Sequence, residues 1–208
     1  MQETTTSPRE QKRAETLRRI HDAAVELTLR DGLAAATVSD IAERAGVSRR
    51  TFFNYFPTKE DAVLGISEPR IPPHALESFL HPAPPAGDDA GADRFAQALE
   101  LTVTTLASVG PRPSQDIAVI VGRYPELINR IRSHRDATQQ LLVDALTERL
   151  AQQHSPASAA DSARALILLS GAVLRFAHGD DPGPFDDPDP AAVKNAMTAF
   201  RNALKDLA

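Results

Sequence analysis

The sequence predicts an all-α protein, a three-helix N-terminal head followed by a larger C-terminal helical bundle, about nine helices in total. Three observations carry that prediction. Apolar residues recur at three- and four-residue intervals through most of the chain, and no stretch alternates as a strand would. Glycine, proline and short polar residues interrupt these stretches where helix ends need them. The composition also shifts after Ser67, where "EPRIPPHALESFLHPAPPAGDDAGA" places six prolines in 25 residues and separates head from body.

The first helix is predicted over residues 9–30. Leu17, Ile20, Ala24 and Leu27 form its apolar stripe, and Gly32 supplies the left-handed residue that ends it. Thr37 then reads as an N-cap with Asp40 at the third helical position, a capping-box arrangement. Val38, Ile41, Ala42 and Ala45 face inward, and Gly46 stops this second helix. Ser48 caps a third helix that buries Phe52 and Phe56 and closes at Pro57. Thr58 opens another, with Asp61 three residues on. In the proline-rich stretch only "HALESFL" has helical character, and the rest reads as an irregular connector.

The body continues with helices over 93–108, 113–122, 124–153 and 156–178. The acidic "GDDPGPFDDPDP" reads as a solvated loop, and Asp189-Pro190 as the cap and first turn of the last helix. Val193, Ala196, Met197, Phe200, Leu204 and Leu207 share one face of that helix.

Composition narrows the chemistry. The chain has 208 residues and no cysteine, which excludes disulfides, thiolate metal sites and cysteine nucleophiles. The six histidines show no zinc-ligand spacing. No phosphate-binding glycine loop or nucleophile elbow occurs, so the expectation is a non-enzyme without metal or cofactor. The N-terminus is polar, and the apolar run 165–177 is interrupted and shorter than the roughly 20 residues a bilayer needs. A cytoplasmic protein with no membrane partner is expected.

The net charge of -5 is unevenly spread. Residues 8–59 carry ten Lys/Arg and seven Asp/Glu, a balance of +3, whereas residues 60–208 carry thirteen and twenty, a balance of -7. Within the basic part, "VSDIAERAGVSRRTFFNYF" joins two short helical patterns at a glycine, a helix-turn-helix over about 37–56. Arg49 and Arg50 open the second helix, where cations oppose the helix dipole at a cost of a few tenths of a kcal/mol each. Phosphates and guanine edges give them a purpose there. The pattern therefore points to double-stranded DNA.

Residues 13–65 resemble the DNA-binding head of the TetR (tetracycline repressor) family of bacterial regulators. The matching stretches are "RRIHDAAVELTLRDGLAAATVSDIAERAGVS", "FFNYF" and "PTKEDAVL". The resemblance implies a DNA-binding domain over 13–73 and a ligand-binding and dimerisation domain over 74–208. It implies a homodimer on a palindromic operator, released by a small effector, most often as a repressor. By the same resemblance Thr37 and Lys59 would hold phosphates, and Arg49, Arg50 and Thr51 would approach base edges. Ser48, Asn54 and Tyr55 complete the expected DNA-facing set. Phe53 stands where the family often has tyrosine, so it packs or makes apolar base contact instead of donating to phosphate.

For the effector the expectation is a small, partly hydrophobic molecule. Phe79, Phe95, Leu99, Val103, Ile120, Tyr124 and Phe176 are candidate walls, with Arg123 or His134 as polar contacts. For the dimer the candidates are Leu166, Leu169, Ser170 and Val173 of one helix and Val193, Met197, Phe200 and Leu204 of the last. The rival reading is a helical protein-interaction module. An activator on the same fold also fits, because the operator's position relative to a promoter decides that role.

Overall fold

The computed structural model describes residues 8–80, 90–108, 114–152, 155–178 and 189–206. Ten helices and no strand occur among the described residues. In chain order they are α1 (Pro8–Asp31), α2 (Val38–Arg44), α3 (Arg49–Phe53), α4 (Lys59–Leu64), α5 (Pro73–Leu80), α6 (Ala90–Ala107), α7 (Gln115–Arg123), α8 (Leu127–Leu150), α9 (Pro156–His178) and α10 (Pro190–Asp206). The expected loop over 179–188 and the connector over 81–89 lie outside the described residues. "HALESFL", the weakest helical prediction, does form α5, because Ala75 and Phe79 on one face find a core to enter.

Two compact units result. One comprises Met1–Glu68 with Val109–His134, the other Pro69–Ser108 with Arg135–Ala208. In the first, the α1 stripe of Leu17, Ile20, Ala24 and Leu27 is buried as its spacing predicts. Ile41 of α2, Phe52 of α3, Phe56 of the turn after it and Val63 of α4 are buried in the same unit. Helices of five to seven residues are far below the length at which an isolated helix holds in water. Their order therefore comes from this core and from caps. Thr37 Oγ1 accepts from Asp40 N at 3.2 Å, Ser48 Oγ from Thr51 N at 3.0 Å and Thr58 Oγ1 from Asp61 N at 3.2 Å. A lost cap of this kind costs about 1 kcal/mol.

One predicted boundary moves. α3 ends at Phe53, whereas the apolar spacing carried it to Phe56. Pro57 disfavours helical geometry at the residue before it. Residues 54–56 instead form a turn closed by Tyr55 N and Phe56 N donating to Phe52 O at 2.9 Å each.

The second unit has two apolar clusters. Phe79, Leu101, Leu142, Leu146 and Ile167 lead the first; Phe95, Leu99, Val173, Leu174 and Ala196 form the second. α9 serves both, and its 23 residues, Pro156–His178, are the span its sequence predicts. By length and composition alone it could cross a membrane. Its inner face is instead spent on these clusters, and Asp161, Arg164 and Arg175 stand exposed on it.

Candidate nucleic-acid interface

The turn between α2 and α3 is built by glycine and arginine. Gly46 adopts φ +66°, a left-handed conformation that side chains disfavour. Arg19 of α1 reaches over this turn and donates from one guanidinium nitrogen to the carbonyls of Ala45 and Gly46. A second arginine, Arg44, ties α2 to α1 through Glu26, with an N–O separation of 2.8 Å. The first helix thus holds the end of α2 by two separate ties.

On that frame Arg49 and Arg50 are exposed, and neither makes an ion pair among the described residues. The first turn of α3 contains no acid to offset them. Ser48 and Thr51 face each other, Oγ to Oγ1 at 2.8 Å. Phe53 is half exposed and meets the buried Phe52 ring edge-on, with centroids 5.4 Å apart. Its ring is therefore half open to solvent on the same short helix as Arg49 and Arg50. Asn54 is exposed at the end of the helix. Tyr55 is partly buried, and the Arg13 guanidinium lies 5.0 Å from its ring centroid. That cation–π contact joins the N-terminal part of α1 to the turn after α3. Sequence reasoning missed it, because 42 residues separate the partners.

Two expected phosphate contacts are already engaged inside the head. Thr37 donates its single hydroxyl proton to Asp40 Oδ2 at 2.6 Å. Lys59 Nζ donates to Leu33 O at 2.6 Å and Ala36 O at 3.0 Å, with Ala34 O at 3.4 Å. An ammonium has three protons to give, and these three carbonyls surround it.

The candidate effector residues fall into separate settings. Phe79 lines a cavity of about 50 Å³ with His74, Ser78, Gln97 and Glu100. That is far below the roughly 300–1,000 Å³ of an ordinary ligand site. Phe95, Leu99 and Val103 pack in the second apolar cluster. Phe176 is 62% exposed and meets Phe200 edge-on, which places it on the outside of α9 and α10 instead of in an enclosed pocket. Ile120, Arg123, Tyr124 and His134 belong to the first unit: Ile120 is buried and Arg123 exposed. Tyr124 accepts from Leu33 N at 3.1 Å.

The dimer candidates differ in how far they are buried within the chain. Ser170 and Val173 are fully buried within the chain, and Ser170 Oγ donates to Leu166 O at 2.8 Å. Leu166, Leu169, Val193, Met197 and Phe200 are partly buried against the second cluster. The side chain of Leu204 lies outside the described residues. Helical spacing identified an apolar face on α9, but that face closes the chain's own core. The exposed large apolar residues of α9 are Leu168 and Phe176.

Electrostatically, the buried His21 and the half-buried His134 stand out. Burial lowers the pKa of His21 below its ordinary 6.5, although Nδ1 donates to Ala62 O at 2.8 Å. Burial lowers His134 likewise, opposed by the charge of Asp61. Arg130 moves the other way, held above its ordinary value by its hydrogen bonds to Asp61.

The chain is similar to several known proteins. Residues 20–64 match the family described as bacterial regulatory proteins, tetR family. An uncharacterized HTH-type transcriptional regulator, YvkB of Bacillus subtilis (strain 168), is 31% identical over 137 residues, 63% of this chain and 66% of that one. The match thus spans just under two thirds of the relative's length. Among solved structures, NalD, the secondary repressor of the MexAB-OprM multidrug efflux pump in Pseudomonas aeruginosa, aligns at 22% identity. It covers 91% of this chain and 96% of that one, with a TM-score of 0.41. A TetR-family transcriptional regulator from Streptomyces coelicolor aligns at 19% identity, covering 93% and 99%, with a TM-score of 0.38.

Proposed function

The chain belongs to the TetR family of bacterial regulatory proteins, and we propose that it works in the cytoplasm as a homodimeric repressor of a palindromic operator, released by a small, partly hydrophobic effector. The single observation that carries the DNA reading is the exposed, uncompensated pair Arg49 and Arg50 at the start of α3. The Ser48 cap and the Gly46 turn hold that helix start in place.

In this reading α3 enters the major groove. Arg50 and Arg49 reach guanine edges or flanking phosphates, Thr51 contacts a base edge and Phe53 packs on a thymine methyl. Ser48, Asn54 and Tyr55 border the contact. Residues 13–73 form the DNA-binding domain, and residues 74–208 bind the effector and the second protomer.

A single helix of this size reads only a few base pairs. Two-fold pairing sets two of them about 34 Å apart, one turn of DNA. Leu168 and Phe176, eight residues apart and exposed on α9, with Gly171 and Ala172 between them, supply a face that a second copy would cover. Gly171 has open space around it, so a partner helix can approach closely.

The test is selection from a pool of random duplexes. Enrichment of an inverted repeat with half-sites about one turn apart supports the reading. No binding even at low salt rejects it in favour of a protein-interaction module. Salt-sensitive binding without enrichment also counts against it, because a sequence-reading helix must discriminate.

A further inference from the structure

The helix-turn-helix is tied at both its ends to one short segment, residues 124–130. At its start, Leu33 donates its amide to Tyr124 Oη at 3.1 Å, four residues before the Thr37 cap of α2. Close approach at this point uses Gly32, where an added Cβ would lie 3.2 Å from the same hydroxyl. At its end, Arg130 forks onto the first turn of α4. Its Nε donates to Asp61 Oδ1 at 2.8 Å, and its second guanidinium nitrogen to Asp61 Oδ2 at 2.6 Å and Thr58 Oγ1 at 2.9 Å. Thr58 is the cap of α4, two residues past the buried Phe56. Lys59 closes the circuit between the two ends, because its ammonium binds Leu33 O and Ala36 O.

From this geometry we propose that Arg130 and Tyr124 are positioning residues for DNA binding. They touch no DNA themselves. They hold the chain entering α2 and the chain leaving α3, so that the five-residue recognition helix keeps its angle to the rest of the head. A helix of one and a half turns has no stiffness of its own to supply that angle. The Arg130 fork suits the task, since bidentate guanidinium–carboxylate bonds fix orientation as well as distance. Asp61 is almost wholly buried, so without Arg130 its carboxylate must draw the first turn of α4 toward water. Lys59 is by the same geometry a clip between the two ends.

The proposal rests on the DNA-binding reading, and the experiment separates the two. Wild type, Arg130→Gln, Arg130→Lys and Tyr124→Phe are each titrated onto the duplex selected by wild type and onto a scrambled duplex, over a range of salt. Thermal melting is followed in parallel, and the random-pool selection is repeated with each variant. The expected result is that Arg130→Gln loses selected-duplex affinity at least fivefold, the lower end of an ordinary coupling of about 5–150-fold. Arg130→Lys recovers part of that loss by restoring a cation beside Asp61. Both variants re-select the same half-site, and their salt slope matches wild type because no phosphate contact has been removed. Tyr124→Phe, which deletes one oxygen, weakens selected-duplex binding in the same manner and keeps the proposal testable if Arg130→Gln fails to fold. Wild-type affinity in Tyr124→Phe and in a folded Arg130→Gln overturns the proposal while leaving the DNA reading intact. A salt slope reduced by about one unit in Arg130→Gln also overturns it, since that marks a direct phosphate contact. A wild type that selects no duplex overturns both.

Discussion

Arg19 closes over Gly46: its guanidinium donates to the glycine's own carbonyl at 3.2 Å, and a Cβ added at Gly46 would lie 2.9 Å from the same nitrogen. The two residues are 27 apart in sequence, yet each shapes the other's place. The turn needs a residue at φ +66°, and the arginine can lie across it because no side chain intervenes. Gly46→Ala is therefore predicted to destabilise the protein by about 1–2 kcal/mol, most of it from the left-handed backbone. The arginine end is flexible and moves aside cheaply. Chemical denaturation of the variant checks this, and a change within error of zero contradicts the account of the turn.

Arg50→Ala is predicted to relax base preference. A bidentate arginine–guanine contact carries roughly 1–3 kcal/mol of discrimination, which the variant loses on the selected duplex and not on scrambled DNA. Equal losses on both duplexes would instead place Arg50 on a phosphate. Gel-shift titrations on the two duplexes decide between them.

Stability is predicted to fall as the solution turns mildly acidic. His21 is buried, with its pKa below the ordinary 6.5. The unfolded chain therefore binds a proton more readily than the folded one. The stability present above about pH 6.5 is lost progressively as pH falls below that value toward the folded pKa. His134, lowered for the same reason, adds in the same direction. The groups bearing on them are Ala62 O and Asp22 for His21, and Asp61 for His134. Melting curves between pH 8 and pH 5 test it. His21→Gln keeps a donor for Ala62 O without titrating, so its curves should depend less on pH.

The double variant Leu168→Glu, Phe176→Glu is predicted to be monomeric. Both positions are more than half exposed in the single chain, so the substitutions leave its core intact. Sedimentation velocity should show a smaller species with an unchanged helical signal, and operator affinity should fall because one half-site is lost. A variant that remains dimeric moves the interface to another face.

The head was far more legible in the sequence than the rest, for a physical reason. Its helices are set by local devices, such as the Thr37–Asp40, Ser48–Thr51 and Thr58–Asp61 caps, which lie three residues apart and can be read directly. The contacts that tie the head to residues 124–130 are distant in sequence. Arg130 meets Asp61 from 69 residues away and Tyr124 meets Leu33 from 91, and no periodicity announces either. Lys59 looked like a phosphate ligand because a lysine at a helix start has the right chemistry; its carbonyl partners lie 23–26 residues earlier. In the body, spacing identified which face of α9 is apolar. Spacing does not say what that face meets: Ser170 and Val173 suit a partner contact by their pattern, yet both are buried within the chain.

The central claim is that Arg49 and Arg50 read DNA, and one titration addresses it most directly. Wild type and the Arg49→Ala, Arg50→Ala double variant are bound to the selected and the scrambled duplex across a range of salt. The account predicts that wild type prefers the selected duplex at every salt concentration. The double variant should lose that preference while remaining folded. A double variant that keeps the full preference contradicts the account, because the discrimination would then arise elsewhere on the molecule.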